Sequence, residues 1–295
     1  MQLVVTGSES FIGRELRRHA RLRGITWHGL DAAPVTAGAS HRQIDIRSPE
    51  LAASIPQGAD ALVHLAAISR DPECRGNPVE AFACNVVGTL NVLRAAQARG
   101  VRQMLFASSE WVYGHVEQAS AQTEDQAIDA TRVQSEYALS KLAAEQALRL
   151  VAGSTPVTVL RFGIVYGPRP ANWSAVESLF HAVRTQDTVS VGSRASARRF
   201  IHVQDIADGI LAALGRSGFE VFNFSGDRLI TLGEVIAESA AVLDRRPAIV
   251  EKTPQQISIR NPDNRKARET LGWRPAIGLR EGLRTLLAER EACAA

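Results

Sequence analysis

Tyr137 and Lys141 stand four residues apart in the run Tyr137-Ala-Leu-Ser-Lys141. That spacing puts a phenol and an ammonium on one face of a helix. A free tyrosine ionises only at about pH 10 and is a poor base in neutral water. A neighbouring cation stabilises the phenolate and draws its acidity toward working pH. Such a pair is suited to moving a proton on and off an alcohol. The chain has only three lysines, Lys141, Lys252 and Lys266, which argues against chance pairing. Upstream, an apolar run ends in Ser108-Ser-Glu-Trp-Val-Tyr-Gly114. The carboxyl end of a strand is where α/β proteins bind ligands, so Ser109 can hydrogen-bond the reacting alcohol or carbonyl beside Tyr137. Ser109, Tyr137 and Lys141 are the expected catalytic residues.

A second constellation would hold a redox cofactor. Thr6-Gly-Ser-Glu-Ser-Phe-Ile-Gly13 follows an apolar run and opens an amphipathic one, the place of a phosphate-binding turn. Glycine permits close backbone approach there, and a helix N-terminus offers amide donors and a positive dipole to a pyrophosphate. Asp31 lies 18 positions beyond Gly13, near the spacing of an acid that binds the adenosine ribose. Its carboxylate accepts from both ribose hydroxyls and repels a 2′-phosphate, which favours NAD over NADP. Ser10 departs from a TGxxGxxG pattern. Its Cβ crowds the approach of the pyrophosphate, although its hydroxyl offers a donor to a phosphate oxygen.

Around these residues, the first half of the chain alternates apolar runs with amphipathic stretches. Expected strands are Leu3–Thr6, Ile25–Asp31, Gln43–Asp45, Ala61–Ala66, Met104–Ser108 and Val157–Phe162, mostly unbroken as in strands buried on both faces. Expected helices are Phe11–Arg23, Val79–Arg99 and Val133–Ala152, with Gly24, Gly100 and Gly153 just past their ends, where left-handed caps are favoured. This alternation implies a Rossmann-type doubly wound α/β fold with a parallel sheet. The regularity ends at the Gly/Pro-rich loop Tyr166–Ala171. Thr231-Leu-Gly-Glu234 has the capping-box form, and residues 263–290 read as two short helices. The expected domains are 1–166, with 199–228 returning to it, and a smaller mixed α/β lobe of 167–198 and 229–295.

Composition is ordinary for a globular chain of 295 residues with a net charge of +3. The dispersed arginines make solvated faces rather than a nucleic-acid stripe. No apolar run is long enough to span a membrane, and Met1 leads straight into strand-like sequence, so neither membrane nor secretory leader is expected. Cys74, Cys84 and Cys293 show no metal or disulfide spacing and are read as free thiols in a reducing compartment, the cytoplasm. No metal is expected.

Taken in order, TGSESFIG, Asp31, Asp45-Ile46, His64-Leu-Ala-Ala67, SSEWVYG, YALSK, LRFGIVYGPR, RRFIHVQDIA and KARETLGW resemble the motifs of the NAD-dependent epimerase/dehydratase family, extended short-chain dehydrogenases acting mostly on nucleotide sugars. The resemblance spans nearly the whole chain. It implies that Tyr137 is the general base and acid, that Lys141 grips the nicotinamide ribose, and that Ser109 meets the substrate hydroxyl. It further implies cofactor contacts from Gly7, Ser10, Phe11, Ile12, Gly13, Asp31, Asp45, Ile46, Leu65, Ala66 and Ala67, and a substrate contact from Arg198. His64, Asn85 and His202 are read mainly as structural. A homodimer is implied, through a four-helix bundle of the helices around Val79–Arg99 and Tyr137.

Sugar dehydratases of the family carry a Thr-Asp-Glu run where this chain has Ser109-Glu110-Trp111. Tryptophan cannot abstract a proton, so dehydration is not expected. Two outcomes remain, a 4-epimerase that keeps its NAD and a dehydrogenase or ketoreductase that exchanges it. Asp31 tilts the reading to the epimerase, with Glu110 and Trp111 lining the substrate cavity in either case. The family's Arg-Pro-Gly-Asp stretch is represented only by Arg260-Asn-Pro-Asp263, which leaves open a smaller sugar-like alcohol as substrate. A non-catalytic NAD sensor is the remaining class, disfavoured because Ser109, Tyr137 and Lys141 are all present.

Overall fold

A computed structural model describes residues 1–34, 40–114, 120–170 and 173–292, with side chains to 287. The apolar runs form the strands β1 (Gln2–Thr6), β2 (Thr26–Asp31), β3 (His41–Gln43), β4 (Ala61–His64), β5 (Met104–Ser109) and β6 (Val157–Phe162). With Phe219–Phe224 they make one seven-stranded sheet, in the order Phe219–Phe224, β6, β5, β4, β1, β2, β3. The pairings of β1 with β2 and β4, of β2 with β3 and of β4 with β5 are all parallel. Every residue of β4, β5 and β6 is buried, as unbroken apolar runs require when helices cover both faces.

The order in which strands are added reverses at β1. The chain runs outward through β2 and β3, then returns to β4 on the other side. The carboxyl ends of β1 and β4 therefore flank a topological switch point, where such sheets bind ligands. Helix α1 (Phe11–Leu22) starts there, capped by Ser10, whose hydroxyl accepts from the Gly13 amide. Leu16 and Ala20 turn its buried face inward. On the other side of the sheet, Val4, Leu62, Phe106 and Val159 pack with Leu93, Ala96, Ala144 and Leu148 in a single core.

Several boundaries differ from expectation. The third strand is His41–Gln43 rather than Gln43–Asp45, because its register runs Gly29–His41 to Asp31–Gln43 and ends with β2. The stretch expected as Val79–Arg99 comprises Pro78–Phe82, a π-helical segment Ala83–Gly88, and Thr89–Ala98. The Tyr137 helix begins at Glu136, not Val133, since the Ser135 hydroxyl caps it by accepting from the Ala138 amide. Gly24, Gly100 and Gly153 do end their helices with positive φ, +65°, +60° and +58°.

The chain divides into two compact units, Met1–His115 with Glu124–Arg161 and Ala207–Phe222, and Val116–Thr123 with Phe162–Ile206 and Asn223–Ala295. The segment returning to the first unit is thus Ala207–Phe222, shorter than the expected 199–228. The second unit is built from three two-stranded pairings and helices that include Ala175–Thr185, Leu232–Leu243, Arg265–Leu271 and Leu279–Ala292. Both of the first two helices carry complete capping boxes, from Ser174 with Glu177 and from Thr231 with Glu234. Phe180, Val235, Ile236 and Leu283 are among the residues of its own core. Among the described residues no helix is long and apolar enough to cross a membrane. Cys74 and Cys84 are free thiols; Cys293 and Ala171 lie outside the described residues.

Candidate active site

A groove of about 420 Å³ opens at the switch point, and Gly7, Ser10, Asp31, Asp45, Ile46, Leu65, Ala66 and Ala67 are among its lining. The turn after β1 and the turn after β4 approach so closely that a Cβ on Gly7 would stand 2.6 Å from the Ala66 amide nitrogen. Gly7 also has φ +71°, so glycine is required twice over. Gly13 does not line the groove. A Cβ there would lie 2.4 Å from the Gly7 carbonyl, so its lack of a side chain serves to seat α1 on the turn. Phe11 and Ile12, also expected to bind cofactor, stand in the first turn of α1, half-buried and off the groove's lining.

Asp31 ends β2 with its carboxylate on the groove. One oxygen accepts from the Glu9 amide at 2.8 Å and the other from the Ala33 amide at 2.9 Å. A carboxylate offers about four acceptor positions, so both oxygens keep capacity for a vicinal diol. The Ser10 hydroxyl accepts from Gly13 at 3.0 Å, and its own proton remains to donate. At the far end Asp45 is gripped through both oxygens by Arg47, which also reaches Glu80 at 2.7 Å. The guanidinium holds the Asp45 carboxyl below the usual range. A glycine turn that Cβ atoms would fill, a helix N-terminus, and a carboxylate aimed into the groove together fit a dinucleotide such as NAD.

The residues expected to move the proton sit on β5 and the helix Glu136–Val151. Ser109, 8 % exposed, accepts from the Trp111 amide at 3.3 Å and stands beside the Tyr137 phenol, whose acidity it draws down against burial. Lys141 is 3 % exposed, donates to the Ala107 carbonyl at 2.8 Å and stands 4.8 Å from the centre of the Phe106 ring. Burial dominates both acidities: it pushes the Tyr137 phenol up to about 12 and the Lys141 ammonium down to about 8. The structure thus brings the three expected catalytic residues together. Trp111 packs edge-on against the Tyr137 ring at 6.5 Å. Glu110 corrects the expectation that it lines a substrate cavity: a wall residue needs accessible surface, and Glu110 has none.

Beneath this pair lies a hydrogen-bonded scaffold. The Thr89 hydroxyl donates to the Asn85 carbonyl at 2.7 Å, so toward His64 Nε2, 2.9 Å away, it can only accept. Nε2 therefore carries the proton, and Nδ1 accepts from the Thr6 hydroxyl at 2.7 Å. Burial and the Lys141 charge hold the imidazole down to about 3, so it stays neutral and ties β1, β4 and Thr89 together. Asn85, in the π-helical segment, closes both backbone groups of Ile68 and donates to Ser140, whose hydroxyl bonds the Tyr137 carbonyl. It thus joins the turn after β4 to the catalytic helix, at a π segment of the kind frequent in functional sites.

Motif reading missed a buried quartet. Arg161 on β6 meets both oxygens of Glu145, 2.8 Å at the closest, and donates to the Tyr113 hydroxyl at 3.0 Å. Ser108 donates to the other side of Glu145. Glu145 follows Lys141 by one turn, and Ser108 precedes Ser109, so the quartet joins both catalytic elements. A signal existed, since an arginine inside the apolar run Val157–Phe162 needs a buried partner. Arg198 belongs to the second unit, where its guanidinium donates to the Ala197 and Ser258 carbonyls and to the Ser258 hydroxyl. These bonds anchor it to its own unit. His202 is structural there, bonded to Thr285 at 3.2 Å and packed against Tyr166.

Comparison with known proteins agrees with this construction. The chain is 30 % identical to a GDP-6-deoxy-D-mannose reductase of Pseudomonas aeruginosa, over 98 % of this chain and 97 % of that protein. It is 29 % identical to UDP-glucuronic acid decarboxylase 2 of Arabidopsis thaliana, over 96 % of this chain and 66 % of the relative. A crystal structure of a Thermus thermophilus UDP-glucose 4-epimerase in complex with NAD superposes with a TM-score of 0.85 at 26 % identity, covering 99 % of each chain. The sequence model of the NAD dependent epimerase/dehydratase family matches residues 3–224. With that span matched, and with the groove and the Ser109, Tyr137 and Lys141 cluster inside it, the chain belongs to the NAD-dependent epimerase/dehydratase family, the extended short-chain dehydrogenases.

Proposed function

We propose that this enzyme oxidises and re-reduces a hydroxyl-bearing carbon of a nucleotide sugar, and that its net reaction is 4-epimerisation through a transient 4-keto sugar. Bound NAD would supply the hydride acceptor and, once reduced, the donor. The residues of the chain handle the proton. Ser109 orients the reacting hydroxyl, and Tyr137 removes its proton and later returns it. Lys141 lowers the cost of the phenolate by placing an ammonium in a buried, low-dielectric site. With its ammonium held near 8, the lysine is still mostly charged at neutral pH.

The observation that carries the epimerase reading is the Asp31 carboxylate on the groove, held by two backbone amides. It suits an unphosphorylated adenosine ribose and hence NAD, the cofactor that the epimerase reading requires. Trp111, packed on the Tyr137 ring, stands where the dehydratases carry the glutamate that removes a second sugar proton, which disfavours dehydration. A second reading, a 4-ketoreductase of a nucleotide sugar, is favoured by the full-length similarity to the Pseudomonas aeruginosa reductase.

Incubating the enzyme with UDP- and GDP-hexoses and following the products by NMR separates the two. Inversion at C4 without added dinucleotide supports the epimerase. Conversion of a keto sugar only when reduced dinucleotide is added in stoichiometric amount moves the assignment to the reductase. We further propose a homodimer through the Val79–Arg99 and Tyr137 helices, which leave Val79, Val87, Leu139 and Leu150 exposed. The free Cys74 and Cys84 thiols suit a reducing compartment such as the cytoplasm.

A further inference from the structure

Glu9 occupies the centre of the phosphate-binding turn, between Gly7 and Ser10, and lines the groove. Its amide donates to Asp31 at 2.8 Å, which places its backbone at the end of the groove that suits the adenosine ribose. Its carboxylate is 13 % exposed and pairs with Arg17 at 3.1 Å. Arg17 also donates to His41 Nε2 at 2.9 Å, and the Trp27 indole donates to the same nitrogen at 3.1 Å. A nitrogen that accepts twice carries no proton, so His41 is neutral; burial and the Arg17 charge both hold it there. The 3.6 Å approach of His41 to Glu9 is therefore not an ion pair. Arg17 is the cation that answers the Glu9 carboxylate, while Arg14 bonds the Glu9 carbonyl at 2.7 Å.

We propose that Glu9 is a second determinant of cofactor choice, excluding a 2′-phosphorylated dinucleotide by adding a carboxylate beside Asp31 and by keeping Arg17 occupied. A guanidinium is the side chain best matched to a phosphate, and two stand at this turn. Without the Glu9 carboxylate, Arg17 would lose its carboxylate partner and have donors available to a 2′-phosphate, while Arg14 stays on the Glu9 carbonyl. Glu9 thus makes a turn flanked by Arg14 and Arg17 of α1 one that selects against NADP.

The inference rests on the reading of the groove as a dinucleotide site. The test is calorimetric titration of the full chain, freed of co-purified nucleotide, with NAD and with NADP. Glu9→Gln should tighten NADP binding by about tenfold, with NAD changed by less than about threefold, the scale of one charge-assisted contact. Glu9→Asp, which keeps the charge, should retain the wild-type ratio and shows that the turn tolerates substitution. Adding Arg17→Gln to Glu9→Gln should remove the gain. An unchanged NAD-to-NADP ratio in Glu9→Gln, or a gain that survives loss of Arg17, overturns the proposal alone. A wild-type chain that binds neither dinucleotide overturns the groove assignment with it.

Discussion

The two ends of the candidate site hold their charges by opposite means. In the groove, Asp31, Asp45 and Arg47 border solvent; Asp45 and Arg47 are each about 40 % exposed. At the catalytic end Lys141, Glu145, Arg161 and His64 are at most 4 % exposed. Water and salt screen the first group, so its pairs contribute little to stability and are open to a ligand. The second group has lost its water, and each member depends on its protein partners. The groove can exchange partners when a cofactor arrives. The catalytic end is built in advance, with Lys141 and Tyr137 displaced from their ordinary acidities by burial.

Substitutions at the two ends should therefore divide along that line. The largest effect is expected at Tyr137→Phe, which removes the proposed proton carrier. Turnover should fall by about a thousandfold or more, with little change in the unfolding midpoint. A variant that keeps its rate would move the proton chemistry elsewhere.

Next comes Glu145→Ala. It leaves Arg161 as an uncompensated buried charge, a loss of about 3–5 kcal/mol in chemical denaturation. A loss near that of a surface pair would mean the quartet is not a structural clamp.

Acid should act on the buried end through His64. Its folded value, about 3, lies below the ordinary 6.5, so the unfolded chain binds more protons between those limits. The stability contributed by the neutral imidazole is complete above about pH 6.5 and is lost as pH falls toward 3. At pH 5 the loss is about 2 kcal/mol. Urea titrations of wild type and His64→Gln at pH 7 and pH 5 should show that extra loss in the wild type only. Equal losses in both would contradict the neutral, enclosed imidazole.

The smallest effect is expected in the groove. Asp45→Asn breaks an exposed pair with Arg47 and should change stability by less than about 1 kcal/mol. A larger loss would erase the contrast between the two ends.

The same contrast explains what could be read from sequence. Groove residues announce themselves by backbone demands. Gly7 must be glycine, Asp31 must end a strand, and both are local facts of spacing. Tyr137 and Lys141 are legible because one helix holds both. The quartet of Ser108, Tyr113, Glu145 and Arg161 draws on two strands, a helix and a 3-10 turn, and only tertiary pairing brings them together. Strand β3 was misplaced by two residues because its register follows β2 rather than its own composition. The helix around Asn85 looked uniform, yet its π segment is what aims that side chain at Ile68 and Ser140. Glu110 looked like a cavity residue from its place in the motif, and its burial is a property of the fold alone.

A groove shaped around Gly7 and Asp31 is proposed to retain NAD for proton chemistry at Tyr137. Mass spectrometry of small molecules released by denaturing freshly purified enzyme tests it most directly. NAD in near-stoichiometric amount, free of NADP, is the expected result. NADP in its place, or protein that carries no dinucleotide, would contradict retention and turn the assignment to a reductase that exchanges its cofactor.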